Sequence, residues 1–96
     1  MDIEFEESRT LFVWDMDKAQ ENQTKHDVEF TEAASVFRDP HLIITDAARN
    51  GESRNKAIGI GVAGKLLAVV HVEVDDEFIR IISAWQATAA ETALYD

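Results

Sequence analysis

The sequence predicts an α+β protein, with helices packed against one antiparallel sheet. Two observations carry that expectation. In the first half, Phe30, Ala33, Ala34 and Phe37 fall at i, i+3, i+4 and i+7, the apolar stripe of a helix. The second half, from Leu42 to Ser83, reads as β-branched runs broken by short turn signals. The 96 residues support one domain with one core, spanning 1–96.

Leu11-Phe12-Val13-Trp14 is an aromatic and β-branched run and predicts the first strand. Asp15 or Asp17 then caps a helix running to about Lys25, with acids at the positive end of its dipole. Thr31 to Phe37 reads as a second, short helix. Pro40 disfavours helical geometry at Asp39, so that helix ends near Arg38. Leu42 to Thr45 is a strand, and Asp46 to Ser53 a polar loop with an Asn50-Gly51 turn signal. Asn55 to Val62 is a weak strand whose Gly59 and Gly61 point to a bulge or a close backbone approach. Ala63-Gly64 turns the chain into Leu66–Val74, the strongest strand. Asp75-Asp76-Glu77 links that strand to Phe78–Ser83. Thr88-Ala-Ala-Glu91 matches a capping box and opens a final helix ending near Tyr95. The expected order is a strand, two helices, an antiparallel meander of three to four strands, and a short C-terminal helix.

The chain carries 9 Lys+Arg against 19 Asp+Glu, for a net charge of −10. That balance argues against simple electrostatic attachment to nucleic acid or to an anionic membrane. The charge is uneven, however. Residues 1–17 hold six acids and one base, residues 66–96 hold the same, and residues 18–65 are balanced at seven of each. A local cationic site on an acidic body is therefore compatible with the composition. There is no Cys, so neither disulfides nor thiolate chemistry are expected. The longest apolar stretch, Leu66 to Val70, is too short to span a bilayer, and Met1 to Ser8 lacks the plan of a signal peptide. A cytoplasmic protein that engages no membrane is the expectation.

The run Phe12-x-Trp14-Asp15-x-x-Lys18-x-x-x-Asn22-x-x-Lys25-His26-x-Val28-x-Phe30-x-Glu32-Ala33-x-x-Val36-Phe37-x-Asp39-Pro40 resembles the BrnT toxin family. So do Gly51-Glu52-x-Arg54 followed by Ile58-Gly59, and Arg80-Ile81-Ile82-Ser83-Ala84 with Glu91 and Tyr95 behind it. The resemblance covers about residues 12–95 and leaves 1–11 as an N-terminal extension. It implies a type II toxin–antitoxin toxin of RelE-like fold, a ribonuclease working without a metal. It also implies a DNA-binding antitoxin of ribbon-helix-helix type, similar to BrnA, with which the toxin represses its own operon. Operator DNA would then be reached only through the antitoxin, and the assembly would be a homodimer or a heterotetramer. Three features depart from the family pattern. Asp27 stands where Gly usually follows Lys-His, Trp85 stands where Arg usually follows Ser-Ala, and Gln86 to Asp96 lacks Lys and Arg. Asp tolerates left-handed backbone geometry, so the first departure preserves the turn. The other two remove cations that could hold RNA phosphate.

Metal-free RNA cleavage needs a base for the ribose 2′-hydroxyl, an acid for the leaving 5′-oxygen, and cations for the phosphoryl oxygens. Lys18, Asn22, Lys25 and His26 fall on one helical face, a polar stripe that could grip phosphate. The bland alternative is a solvated face with Glu21 paired to Lys25. His26 is the candidate acid or base, against a helix-terminal role at the end carbonyls. Glu52 and Arg54, two residues apart, point to one side of a strand. Arg54 would clamp phosphate, and Glu52 would orient it or act as base; the alternative is a surface ion pair. Arg80, mid-strand, must reach a carboxylate, snorkel, or line a functional concavity. Trp85 is either a core or interface residue or a platform for a splayed base. His71 reads as a packed or surface strand residue, and His41 has no assigned role. The three His lack zinc-like spacing, so no metal and no other cofactor is expected.

Lys25, His26, Glu52, Arg54 and Arg80 are therefore the candidate catalytic set, with Lys18 and Trp85 as substrate-binding residues. The leading reading is a metal-independent endoribonuclease toxin whose substrate is RNA. The rival is a catalytically lapsed relative that retains only antitoxin binding and operon co-repression.

Overall fold

The computed structural model describes residues 1–95. The elements run β1 (Asp2–Glu7), β2 (Thr10–Asp15), α1 (Met16–His26), α2 (Phe30–Ser35), β3 (Ile43–Asp46), β4 (Asn55–Ile60), β5 (Leu66–Val74), β6 (Phe78–Gln86) and α3 (Ala89–Tyr95). A 3₁₀ turn over Val36–Arg38 closes α2. The strands form a single sheet in the order β1-β2-β6-β5-β4-β3. The expected α+β class and the antiparallel meander are both present, the meander as four strands, β3 to β6.

The opening of the chain departs from expectation. A hairpin stands where one strand was expected, because residues 2–7 pair antiparallel with β2. Their alternation explains it: Ile3 and Phe5 pack on the core while Asp2, Glu4 and Glu6 face solvent. The turn uses Ser8 and Arg9, at φ 50° and 69°, without the Gly or Asn that announces such turns in sequence. β2 then pairs in parallel with β6, at Phe12↔Ile79 and Val13↔Arg80. That closure brings the two ends of the chain together in the middle of the sheet.

The α1 and α2 side holds the core. Phe12 and Trp14 of β2, Leu67 and Val69 of β5, Ala57 of β4 and Ile81 and Ala84 of β6 meet Phe30, Ala33, Ala34 and Val36. The helical stripe is thus buried as expected, with Phe37 partly buried against the rings of Phe12 and His71. Gly59 is there for close approach: a Cβ would sit 3.0 Å from Leu42 Cδ1 and 3.2 Å from the carbonyl of Val36. Asp15 caps α1, its carboxylate accepting from Lys18 N at 3.0 Å. Asp27 ends it in the left-handed region at φ 56°, the geometry expected of it.

Asn22 is the buried polar group that locks α1 to the sheet. It is 5% exposed. Its Oδ1 accepts from Ala84 N at 3.0 Å and from Ser83 Oγ at 3.1 Å, and its Nδ2 donates to the carbonyls of Ala84 at 2.9 Å and Val28 at 3.0 Å. The phosphate-gripping stripe expected on α1 is therefore corrected: Asn22 points inward, and only Lys18, Lys25 and His26 are exposed. Among the described residues, Glu21 and Lys25 form no ion pair.

Two outcomes follow from this interior. Asn22→Ala strands the N–H and C=O of Ala84, and should lower unfolding free energy by about 2–5 kcal/mol in urea titrations. Asn22→Asp should do no better, since a carboxylate would then face two carbonyls; midpoints within error of wild type would refute the lock. His71, fully buried, sets the acid limb. Its Nδ1 faces the Val69 carbonyl at 3.2 Å and its Nε2 has no partner among the described residues. Burial pushes its pKa below the ordinary 6.5, against weaker upward pulls from that carbonyl and from Glu73. The unfolded chain therefore takes the proton first. Stability should be flat above about pH 6.5 and fall as pH drops below it. His71→Leu should remove that fall between pH 7 and 5.5 in thermal melts; an unchanged slope would assign it elsewhere.

Candidate functional site

Alternation along the strands decides which side chains leave the core. Ala57 and Ala84 face α1 and α2, so Lys56 and Trp85 stand on the opposite side of the sheet. There, β4, β5, β6 and the β3–β4 loop enclose a cleft of about 270 Å³. Val70 and Ile82 form its apolar floor, and Arg49, Arg54, Lys56 and Trp85 its walls. Three cations and one aromatic face thus converge on a chain otherwise dominated by acids.

The loop that carries Arg49 is shaped by its turn signal. Asn50 and Gly51 take φ 53° and 78°, and Arg49 and Glu52 exchange backbone hydrogen bonds at 2.9 and 3.1 Å. The return leg delivers Arg54, whose Nη2 donates to the exposed Glu52 Oε2 at 2.8 Å, an ion pair at the surface. Two residues on, in β4, Lys56 lines the same cleft, and its Nζ donates to Glu91 Oε2 at 2.8 Å. Glu91 is buried. Its Oε1 accepts from Trp85 Nε1 at 3.0 Å and from Thr88 N at 2.9 Å, and its own N–H donates to Thr88 Oγ1 at 3.2 Å. The capping box is therefore formed as expected. Burial pushes the Glu91 carboxyl up, but the Lys56 ammonium and the Thr88 and Trp85 N–H groups outweigh it, and the net shift is down. Glu91 is ionised near neutrality.

His26, in the last turn of α1, sits with its ring 6.0 Å from that of Trp85, tilted by 51°. Of the sequence-derived set, Arg54 and Trp85 line the cleft, Glu52 is joined to it through Arg54, and His26 lies beside the Trp85 ring. The others lie apart. Lys25 borders a separate concavity on the outer face of α1 with Asp17, Gln20, Glu21 and Thr24. Lys18 is exposed in the first turn of α1. Arg80 gives both its terminal nitrogens to Asp2, Nη2 at 2.9 Å and Nη1 at 3.4 Å. That hydrogen bond holds the Asp2 carboxyl below its ordinary range. Of the alternatives open to Arg80, it takes a carboxylate.

Arg49 and Lys56 were missed by sequence reasoning. Lys56 carried a usable signal, since it lies two residues beyond Arg54. Arg49 carried none, because its place depends on the fold of a polar loop. Among the described residues, no group of three or more His, Asp or Glu gathers in a way that could hold a metal ion, and no helix is long and apolar enough to cross a membrane.

No curated protein matches the sequence. Residues 14–91, most of the chain and every residue that lines the cleft, match the family described as ribonuclease toxin, BrnT, of type II toxin–antitoxin system, and the chain belongs to that family.

Proposed function

We propose that the protein is the RNA-cleaving toxin of a type II toxin–antitoxin pair and that RNA occupies the cleft walled by Arg49, Arg54, Lys56 and Trp85. The observation that carries this reading is the convergence of three of the chain's nine Lys and Arg beside a half-buried indole that lines the same cleft, in a chain of net charge −10. Phosphate needs such cations, and an unpaired base stacks on an aromatic face. Membership of a ribonuclease toxin family gives the convergence its chemistry.

Cleavage proceeds without a metal. The ribose 2′-oxygen attacks the adjacent phosphorus as its proton passes to a base, the P–O5′ bond breaks, and the 5′-oxygen takes a proton from an acid. His26, beside Trp85, is the proton-transfer group, and Glu52 is the second candidate for the base. Arg54, with Arg49 and Lys56, stabilises the charge on the phosphoryl oxygens. Lys25 and Lys18, exposed on α1 apart from the cleft, meet phosphates of an RNA long enough to run beyond it. Arg80 takes part only when Asp2 releases it. The fold is RelE-like, and the protein acts in the cytoplasm. Its partner is a ribbon-helix-helix antitoxin with a cationic surface, which alone contacts operator DNA, in a homodimeric or heterotetrameric assembly.

A second reading is favoured by a specific observation. Arg54, Lys56 and Arg80 are each already paired, with Glu52, Glu91 and Asp2. Together with Trp85 in place of a cation, that neutralisation suits a lapsed enzyme that binds antitoxin and represses its operon. Induction without antitoxin separates the two, read as growth and RNA integrity in the same cells and as cleavage by purified protein with chelator present. The first reading expects growth arrest and products ending in 2′,3′-cyclic or 3′-phosphate. Arg54→Ala and His26→Ala should each lower the cleavage rate by ~10²–10³-fold. An inert wild type that gains cleavage through Trp85→Arg establishes the second reading. Full activity in both alanine variants removes the cleft from the mechanism.

A further inference from the structure

Among the described residues, Glu91 is the only Asp or Glu buried as a whole residue, at 6% exposed. Capping accounts for only part of its bonding. A capping box needs the Thr88 N–H on one carboxylate oxygen and the Thr88 hydroxyl on the Glu91 N–H. The two further partners, Lys56 Nζ and Trp85 Nε1, are walls of the cleft. They come from strands on either side of β5: Lys56 pairs with Val70, and Trp85 with Ala68. One carboxylate therefore spans the width of the cleft's rear. α3 itself has seven residues and leaves Leu94 55% exposed, so polar contacts contribute much of its docking. A lysine has four rotatable side-chain bonds and no fixed donor geometry of its own. Without Glu91, no hydrogen bond among the described residues ties the Lys56 ammonium to the indole.

We propose that Glu91 is a positioning residue, which sets the spacing between the phosphate-binding and base-stacking walls of the cleft by holding Lys56 and Trp85 on one carboxylate. The proposal rests on the RNA-binding reading of that cleft. It carries a consequence that simple scaffolding does not. Glutamine at position 91 still caps α3 and still accepts from the indole, but releases the ammonium. Lys56 then meets phosphate more freely while losing its place.

The experiment combines kinetics with a signal that does not depend on RNA cleavage. Single-stranded oligoribonucleotide cleavage is measured for wild type, Glu91→Gln, Lys56→Ala and the double variant. The Trp85 indole N–H resonance, identified by its loss in Trp85→Phe, is followed for hydrogen exchange in wild type, Glu91→Gln and Glu91→Ala. The expected result is a kcat lower by ~10–10²-fold in Glu91→Gln with KM unchanged or lower, since misplacement and not lost attraction is the defect. In the Lys56→Ala background the same change should alter kcat less than about twofold, because the two residues act as a unit. The indole N–H should be slow to exchange in wild type and Glu91→Gln and fast in Glu91→Ala. An equal kcat loss in both backgrounds, or equal indole exchange in all three proteins, overturns the proposal. A wild type that neither binds nor cuts the oligonucleotide overturns the RNA reading, and the positioning role with it. The indole signal then still shows whether the carboxylate clamp exists. If Glu91→Ala does not fold, Glu91→Gln and the Lys56→Ala cycle decide the matter alone.

Discussion

The carboxamide of Asn22 occupies the place of a missing strand. β2 covers β6 only at Ile79 and Arg80, so the edge of β6 beyond them turns its N–H and C=O groups away from β5 with no strand to receive them. Asn22 accepts from Ala84 N and donates to Ala84 O, the pair of bonds a neighbouring strand would make. Its second amide hydrogen takes the Val28 carbonyl and so fixes the chain leaving α1. The helix, the start of α2 and the end of β6 are thereby joined at one buried point. Trp85 is the next residue along β6, and His26 is one turn further along α1. The proximity of those two rings is a consequence of where the carboxamide sits, and so is the rim of the cleft.

The charge of the chain is organised around the same sheet. Acids occupy the exposed face of β1, an edge strand, where they discourage pairing with another chain, and they also fill the β5–β6 turn. Three of the nine Lys and Arg, namely Arg49, Arg54 and Lys56, gather in the cleft. Carboxylates of this chain hold two of them, Arg54 by Glu52 and Lys56 by Glu91, and Asp2 holds Arg80 elsewhere on the sheet. Arg49 has no ion-pair partner among the described residues. Pairing orients the donors and weakens their long-range pull together. A polyanion entering the cleft must therefore compete with internal carboxylates, Glu52 being exposed and Glu91 not. Arg54 is the easier cation to recruit and Lys56 the more firmly placed.

Features confined to neighbouring residues were legible in the sequence. The β5 strand, the Asn50-Gly51 turn, the Asp27 left-handed cap and the Thr88–Glu91 capping box each depend on residues a few positions apart, and each is present. The first strand carried an equally local signal, the alternation of Ile3 and Phe5 with acids, but its turn lacks Gly or Asn and the acids masked it. The site was less legible because its contacts are distant in sequence. Asn22 meets Ala84 across 62 residues, Lys56 meets Glu91 across 35, and Arg80 meets Asp2 across 78. Spacing on α1 placed Asn22 with Lys18 and Lys25. Only the free edge of β6 shows why it turns inward, and no helical periodicity contains that information.

The motif residues of the family divide along the same line. Asp39 accepts from Ile60 N at 2.8 Å, Tyr95 OH at 2.5 Å and His41 N at 2.9 Å, so it joins the end of α2 to β4 and α3. Burial raises its pKa, those donors outweigh the effect, and the net shift is down. Asn22, Asp39, Gly59 and Glu91 thus shape the scaffold, whereas His26, Glu52 and Arg54 reach its surface. Trp85 belongs to both groups. Its single N–H is taken by Glu91, which fixes the indole plane, and its ring is what the cleft presents. An arginine at this position could bond Glu91 with one N–H and still offer four others, with a full charge, to a phosphate. The indole preserves the contact to α3 and substitutes a stacking face for that charge. Under the RNA-binding proposal, that exchange shifts recognition from phosphate toward bases.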